Sequence, residues 1–363
     1  MSLHIVADEN IPMVETLFGP EARVTRVAGR GLNRQQLGDA EILLVRSVTR
    51  VDRELVEGTS IRFVGTATSG TDHVDRQCLS ALGIGFSHAP GSNANSVVEY
   101  VLAAIAAIDN YLERLLDGGR VGIVGFGTIG RAVTHRLRAL GISCVVNDPW
   151  LGPEQLPDNC TLQEALACDV VCLHPELTRE QPWPSYHLLA ANELALLGAD
   201  QLLINASRGA VIDSQALSRR LDATNAPQVV LDVWETEPLV PSNLLSRVRL
   251  GTAHIAGYSY DGKVLATRML RDAAQAQLGW SQADLPVPEE GATRILRLQT
   301  TLSPAQALRN LIADCYRIEE DDKRLREAVL DVTEAQSRAS FDQLRKQYPR
   351  RREMAGRIVQ LDT

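Results

Sequence analysis

The sequence predicts an α/β protein with two doubly wound parallel sheets and a small, charged C-terminal domain. Three observations support this fold class. Short apolar segments recur at intervals of roughly 20 residues, helix-forming stretches separate them, and the composition changes after about residue 290. An interval of that length leaves room for a helix that returns the chain to the start of a parallel strand. The 363 residues suffice for two or three domains, each with a core of its own.

Eleven strands are predicted from the apolar runs. The first sheet takes those at 3–7, 22–27, 42–47, 61–67 and 84–89. The second sheet takes those at 121–124, 142–147, 169–173, 201–205, 228–232 and 248–251. The helical stretches between neighbouring strands favour parallel pairing through crossover helices in both sheets.

Helices are predicted where helix-forming residues run without Gly or Pro. The apolar segment 96–116 is interpreted as one long helix, and most of 256–283 is helical as well. The segment 283–292, ADLPVPEEGA, is rich in Pro, Gly and acidic residues and is typical of a domain boundary.

Residues 303–356 carry many charges and have little core of their own, so they need a partner surface. We therefore predict a C-terminal dimerisation domain. The alternative is a solvated tail. It is disfavoured because six apolar residues would need burial, namely Leu311, Ile312, Tyr316, Leu325, Val329 and Phe341.

Composition and charge argue against several classes of protein. A net charge of −8 argues against a nucleic-acid partner, and no apolar run is long enough to span a bilayer. The N-terminal residues MSLHIVADEN are acidic where a signal peptide needs basic and apolar residues, so a cytoplasmic protein is expected. The six cysteines have no C-x-x-C spacing, so neither a metal site nor disulfides are predicted; Cys168 and Cys172 are expected to be buried.

A dinucleotide-binding fingerprint lies in VGIVGFGTIGR, where Gly125, Gly127 and Gly130 have G-x-G-x-x-G spacing. It follows a predicted strand, opens a predicted helix and precedes a second strand, which is the context of a Rossmann cofactor domain. Asp148 ends that second strand, where a carboxylate binds the adenosine ribose and repels a 2′-phosphate. The cofactor predicted is NAD, although a capping role for Asp148 is the alternative.

Three polar residues follow predicted strands of the second sheet and suit the oxidation of a hydroxy acid. Arg208 can hold a carboxylate in a bidentate way, His254 can take a hydroxyl proton, and Glu237 can orient the imidazole. Spacing alone leaves a structural role for each of them open. His73 and His174 are competing candidates for the base.

A second polar group is predicted in the first sheet. Arg46, Ser47 and Thr68 follow two of its strands, where a cation and two hydroxyls would suit an oxyanion such as a phosphate. The alternative is that Arg46 pairs with a neighbouring carboxylate.

Four motifs resemble those of the D-isomer-specific 2-hydroxyacid dehydrogenases: GFGTIG with Asp148, NASRGAVID, DVWETEP and HIAGY. The resemblance covers about residues 1–280. It implies that Arg208 binds the substrate carboxylate, that His254 is the acid/base and that Glu237 hydrogen-bonds the histidine. It also implies substrate contacts from Ser47, Thr68 and Tyr258, and NAD contacts from Asp148, Asp232 and Gly257.

The resemblance further implies three domains. Residues 1–95 and 257–284 would form a flavodoxin-like substrate domain, 96–256 the NAD-binding domain, and 290–363 an α+β dimerisation domain. The implied reaction is oxidation of a small phosphorylated 2-hydroxy acid at C2 by a cytoplasmic homodimer. Two alternatives remain: another enzyme of the family, such as a 3-phosphoglycerate dehydrogenase, and an NAD-sensing interaction protein of the corepressor type.

A basic cluster near the C-terminus contrasts with the acidic chain and comprises Arg345, Lys346, Arg350, Arg351 and Arg352. The first interpretation is a solvated helix end. The sharper hypothesis places part of the cluster at an active-site mouth in the dimer, where it would attract a phosphorylated substrate.

Overall fold

A computed structural model describes residues 3–280, 295–299, 301–354 and 357–362. The predicted boundary at 283–292 lies outside the described residues. The chain divides into two compact units, of which the first comprises residues 1–93 and 259–292 and the second comprises 94–258 and 293–363. The C-terminal segment thus groups with the cofactor domain, and the three domain ranges inferred from the sequence stay a prediction.

The first unit contains a five-stranded parallel sheet, as predicted. Its strands are β1 (His4–Asp8), β2 (Arg23–Val27), β3 (Ile42–Val45), β4 (Phe63–Thr66) and β5 (Gly85–His88). Their order, β2-β1-β3-β4-β5, is the flavodoxin-like order. The helices of this unit are α1 (Val14–Phe18), α2 (Arg53–Val56), α3 (Arg76–Ala81) and α11 (Tyr260–Leu278). Two buried apolar clusters, one on each face, cover the sheet.

The second unit contains the six predicted strands of the cofactor sheet: β6 (Arg120–Val124), β7 (Ser143–Asn147), β8 (Val170–Leu173), β9 (Leu202–Asn205), β10 (Gln228–Leu231) and β11 (Leu250–Gly251). They are parallel in the order β11-β10-β9-β8-β6-β7. A single parallel bridge between Val146 and Asn159 extends the sheet beyond β7. If Asn159 is counted as a strand, the order starts 3-2-1-4, as in a Rossmann domain.

The helices around this sheet are α4 (Ala94–Ala107), α5 (Tyr111–Leu116), α6 (Thr128–Ala139), α7 (Leu162–Leu166), α8 (Ala191–Leu194), α9 (Ser214–Arg220) and α10 (Ser242–Leu245). The prediction of one helix over 96–116 is wrong, because the chain turns between α4 and α5. Asp109 in this turn has φ +39°. Asp and Asn adopt a backbone conformation with positive φ more readily than most other residues.

The C-terminal segment is α+β, as predicted. It contains β12 (Ile295–Gln299), α12 (Pro304–Cys315), α13 (Ile318–Val329), α14 (Glu334–Lys346) and β13 (Ile358–Asp362), and β12 pairs with β13 in parallel. Five of the six apolar residues expected to need burial are buried, and they pack into the cofactor-domain core: Ile312, Tyr316, Leu325, Val329 and Phe341. The partner surface that this segment needs is therefore supplied by its own chain. None of the described helices is long and apolar enough to cross a membrane.

Candidate active site

The loop between β6 and α6 has the geometry of a phosphate-binding turn. Gly125 has φ +90°, which L side chains rarely adopt, and a Cβ there would lie 2.4 Å from the Pro175 nitrogen. A Cβ at Gly130 would lie 2.0 Å from the carbonyl oxygen of Gly125, so the helix can pack on the strand only with glycine. A Cβ at Gly127 would meet no atom within 4 Å, which leaves open space at the start of α6. These residues fit a dinucleotide pyrophosphate.

Asp148 follows β7 and faces the same loop. Its Oδ2 accepts a hydrogen bond from the Phe126 amide at 2.8 Å, and its Oδ1 accepts one from the Trp150 amide at 3.1 Å. Each carboxylate oxygen has a lone pair for a further hydrogen bond, so both oxygens can also accept from ribose hydroxyls. The glycine fingerprint and the Asp148 carboxylate thus lie at the positions predicted from the sequence.

Arg208 follows β9, and the chain around it is tightly fixed. The Asn205 side-chain amide donates to the Arg208 carbonyl at 3.0 Å, and the Arg208 Nη1 donates to the Ser207 carbonyl at 2.9 Å. The next residue, Gly209, approaches the loop after β10 so closely that a Cβ would lie 2.0 Å from the Trp234 carbonyl carbon. This approach brings the loop of Arg208 beside the loop of Glu237.

Glu237 and His254 form the predicted pair. His254 Nδ1 donates to Glu237 Oε2 at 2.8 Å, and the Trp234 amide donates to Oε1 at 2.8 Å. Burial alone would raise the pKa of Glu237. The charge and hydrogen bond of His254, the Trp234 amide and the charge of Arg345 together outweigh burial, so the pKa lies below its ordinary value. The carboxylate is thus ionised at neutral pH and can stabilise a protonated imidazole.

The loop that carries His254 is held by Asp232, which is 1% exposed. Asp232 Oδ1 accepts from the Ile255 amide at 2.7 Å and Oδ2 from the Ala256 amide at 2.9 Å, while its carbonyl accepts from the His254 amide at 2.7 Å. His254 has φ +56°, a strained conformation that these bonds maintain. The contact of Asp232 with NAD stays a prediction.

Trp234 is a site residue to which the sequence analysis gave no role. It is 3% exposed, its indole nitrogen donates to the Thr252 carbonyl at 2.9 Å, and its amide binds Glu237. It therefore joins the two loops that carry the pair. The sequence signal for this role was the position of Trp234, a large aromatic residue with one N–H donor, inside the polar motif DVWETEP.

Tyr258 and Gly257 follow His254 directly in the same unit. The Tyr258 amide donates to the Ile255 carbonyl at 2.8 Å, and its ring meets the Tyr348 ring edge to face at 5.7 Å. Ser47 follows β3 and Thr68 follows β4 in the other unit, at the carboxyl ends predicted for them. The contacts of these residues with ligands stay predictions.

The competing histidines have other surroundings. His174 ends β8 and is 8% exposed, and neither of its ring nitrogens has a hydrogen-bond partner among the described residues. Burial lowers its pKa to about 4, so it is neutral at physiological pH. His73 lies in the first unit, where its Nε2 is 2.8 Å from the Thr66 hydroxyl. The structure therefore favours His254, with its carboxylate partner, as the base.

The cysteines are free thiols, and Cys168 and Cys172 are buried. The described residues contain no group of three or more His, Cys, Asp or Glu side chains that could hold a metal ion.

Two family models match the chain. Residues 101–256 match the NAD-binding domain of the D-isomer specific 2-hydroxyacid dehydrogenases, and 287–363 match a domain of unknown function. The fold is also that of a D-lactate dehydrogenase from Aquifex aeolicus, solved with NAD and lactic acid. Its sequence is 21% identical to this one, and the two structures superpose with a TM-score of 0.61. The match covers 76% of this chain and 95% of the D-lactate dehydrogenase chain. The fold and the site thus define an NAD-dependent dehydrogenase of 2-hydroxy acids.

Two relatives extend over nearly the whole chain. The erythronate-4-phosphate dehydrogenase of Marinobacter nauticus is 46% identical, over 98% of this chain and 94% of its own length. That of Cellvibrio japonicus is 44% identical, over 99% of this chain and 95% of its own length. The chain belongs to the erythronate-4-phosphate dehydrogenase family.

Proposed function

We propose that this chain oxidises 4-phospho-D-erythronate at C2 to the 2-oxo acid in the cytoplasm, a step toward pyridoxal 5′-phosphate. The names of its full-length relatives support this substrate. The observation that carries the chemistry is the pairing of His254 with an ionised Glu237 beside the loop of Arg208.

The residues have separate roles in this proposal. Arg208 binds the substrate carboxylate with two parallel hydrogen bonds, which fixes the position of C2. His254 takes the hydroxyl proton on Nε2, because Nδ1 is hydrogen-bonded to Glu237. Glu237 orients the imidazole and stabilises its positive charge. NAD, when held at the loop of Gly125, Gly127 and Gly130, would supply the acceptor for the hydride of C2, so the two electrons and the proton of the alcohol would both be accounted for.

The binding residues follow the sequence-based expectations. We assign the pyrophosphate to the loop of Gly125, Gly127 and Gly130, and the ribose to Asp148. Asp232 and Gly257 would line the rest of the cofactor site. Ser47, Thr68 and Tyr258 would contact the phosphorylated substrate.

We also propose that the active form is a homodimer through the C-terminal segment. Its small sheet exposes four apolar side chains, Ile295, Ile358, Val359 and Leu361, each at least 47% exposed. The strand register places Ile295 and Ile358 on one face of this sheet and Val359 and Leu361 on the other. Exposed apolar side chains on a small sheet in an otherwise charged segment suit a second copy. Light scattering tests this: Val359→Glu should yield monomers, and a wild-type monomer would contradict the proposal.

The substrate assignment is tested by nicotinamide absorbance with purified protein. We expect turnover of 4-phosphoerythronate and far lower kcat/KM with 3-phosphoglycerate. A preference for 3-phosphoglycerate would assign the chain to another enzyme of the family. Tight NAD binding without turnover of either acid would favour an NAD-sensing interaction protein.

A further inference from the structure

Arg351 connects the C-terminal segment to the loop that follows His254. Its Nε donates to the Tyr258 carbonyl at 3.0 Å, and one Nη lies 3.4 Å from the Ala256 carbonyl. The other Nη donates to Glu99 of α4 at 3.0 Å. Arg351 is 9% exposed and Glu99 is 2% exposed. The Arg351 guanidinium is therefore buried between α4 and the loop that follows His254. A buried, multiply bonded guanidinium fixes both of its partners in place.

Two more residues of the C-terminal segment contact the side chain of Tyr258. The Tyr348 ring meets it edge to face, and the guanidinium carbon of Arg345 lies 5.6 Å from its ring centroid. Backbone and ring of Tyr258 are therefore both held by residues after 340. The sequence-based hypothesis placed this basic cluster at the mouth of an active site, whereas Arg345 and Arg351 approach the loop within one chain.

Another arginine of the segment provides a comparison. Arg326 of α13 donates to the carbonyls of Leu245 and Val248 at 2.8 and 2.9 Å and is paired with Asp322. Leu245 and Val248 precede β11, whereas Ala256 and Tyr258 follow it. Arg326 thus attaches the segment before the strand begins, and Arg351 attaches it at the carboxyl end, where ligands bind in this fold.

We propose that the C-terminal segment is part of the catalytic apparatus of its own chain, with Arg351 as a positioning residue for the loop from His254 to Tyr258. This role is separate from dimerisation, and its effect on substrate binding rests on the proposed contact between Tyr258 and the substrate. Without Arg351, the carbonyls of Ala256 and Tyr258 lose a donor and the loop can shift. A displacement of about 1 Å at such a site can cost up to roughly 100-fold in rate.

The test compares Arg351→Met with Arg326→Met, since both remove a guanidinium that joins the segment to cofactor-domain carbonyls. Assays are run well below both unfolding midpoints. We expect Arg351→Met to lower kcat/KM for the hydroxy acid by roughly 10-fold or more, with unchanged dimerisation. Arg326→Met should lower the unfolding midpoint and leave the kinetics unaltered. Equal kinetic losses in both variants, or none in Arg351→Met, would overturn the proposal.

Two further variants separate the possible failures. If Arg351→Met does not fold, Arg351→Lys keeps the charge beside Glu99 but lacks the fork that reaches both carbonyls, and should show a smaller loss of the same kind. If Arg351 acts through Tyr258, Arg351→Met and Tyr258→Ala should have less than additive effects on kcat/KM, and full additivity would refute that route. A Tyr258→Ala variant with unchanged kinetics would reject the substrate role of Tyr258 and leave the Arg351 comparison valid.

Discussion

The hydrogen bond between His254 and Glu237 decides which imidazole nitrogen can accept the hydroxyl proton. With Nδ1–H held 2.8 Å from Oε2, Nε2 is left as the proton acceptor. Both residue types and their order can be read from the sequence. The left-handed backbone of His254 could not be predicted, because it depends on hydrogen bonds with Asp232, 22 positions earlier in the chain.

Replacing the proposed base, His254, should slow proton transfer without removing the cofactor site. His254→Ala is expected to lose roughly 10²–10⁴-fold in kcat, because a positioned base contributes about that much. NAD titration should give an unchanged Kd. His135→Ala is a suitable control, since His135 is exposed on α6. Near-normal turnover in His254→Ala would assign the base elsewhere.

Glu237→Gln tests the electrostatic role of the carboxylate. An amide cannot stabilise a protonated imidazole as a carboxylate does, so the imidazole should lose its proton more readily. The acid limb of the kcat/KM profile should therefore move to lower pH, while maximal kcat falls. An acid limb that stays in place would give Glu237 a purely structural role.

Asp148 should decide between the two nicotinamide cofactors. Asp148→Ala removes the carboxylate that would meet the 2′ position of the ribose. We expect weaker NAD binding and a narrower preference for NAD over NADP, measured as the ratio of kcat/KM values. Equal use of both cofactors by the unmodified protein would contradict this role.

At the scale of elements, the strands were predictable and the turns were not. All eleven predicted strands are present, because most of them are short apolar runs that are buried on both faces. The break at Asp109 was missed. Asp109 and Asn110 are residue types that favour such a turn, but the turn is also held by a hydrogen bond from Arg309, 200 positions away, to the Asp109 carbonyl. The bridge at Asn159 was also missed, because a single paired residue has no periodicity.

The close approach of the loops after β9 and β10 should be intolerant of any side chain at Gly209. A Cβ there would lie 2.0 Å from the Trp234 backbone, so Gly209→Ala must separate the loops of Arg208 and Glu237. We expect a loss of about 1–3 kcal/mol in the free energy of unfolding, together with a lower kcat/KM. Gly198→Ala is the matched control, because its Cβ would meet only the Gln201 side chain at 3.9 Å. Equal behaviour of the two variants would contradict the close approach of these loops.

At the scale of the molecule, the second unit contains buried ionisable residues that lie far apart in sequence. Glu99 and Arg351 are separated by 252 positions and pair inside the protein. The sequence predicted that the apolar residues of the C-terminal segment need a partner surface. It could not identify the cofactor domain as that surface, because charged residues such as Glu99 and Arg351 are usually exposed.

The buried Glu99 should make stability depend on pH. Burial raises its pKa to about 7, and the opposing attraction of Arg351 does not offset this. Between its ordinary pKa of about 4.5 and 7, the folded protein binds more protons at Glu99 than the unfolded chain. The contribution of Glu99 to stability is therefore present below about pH 4.5 and lost as the pH rises through 7.

Urea unfolding of wild type and Glu99→Gln between pH 5 and pH 8 measures this effect. The glutamine does not titrate, so wild type should lose about 2 kcal/mol relative to the variant over that range. Glu113→Gln is the control, because Glu113 also pairs with a C-terminal arginine, Arg309, but is partly exposed. Burial raises the pKa of Glu113, but the hydrogen bond and charge of Arg309 and a backbone hydrogen bond together lower it below its ordinary value, so Glu113 stays ionised from pH 5 upward. The difference between wild type and Glu113→Gln should thus be constant over this range, and a constant difference for Glu99→Gln as well would show that Glu99 is ionised throughout.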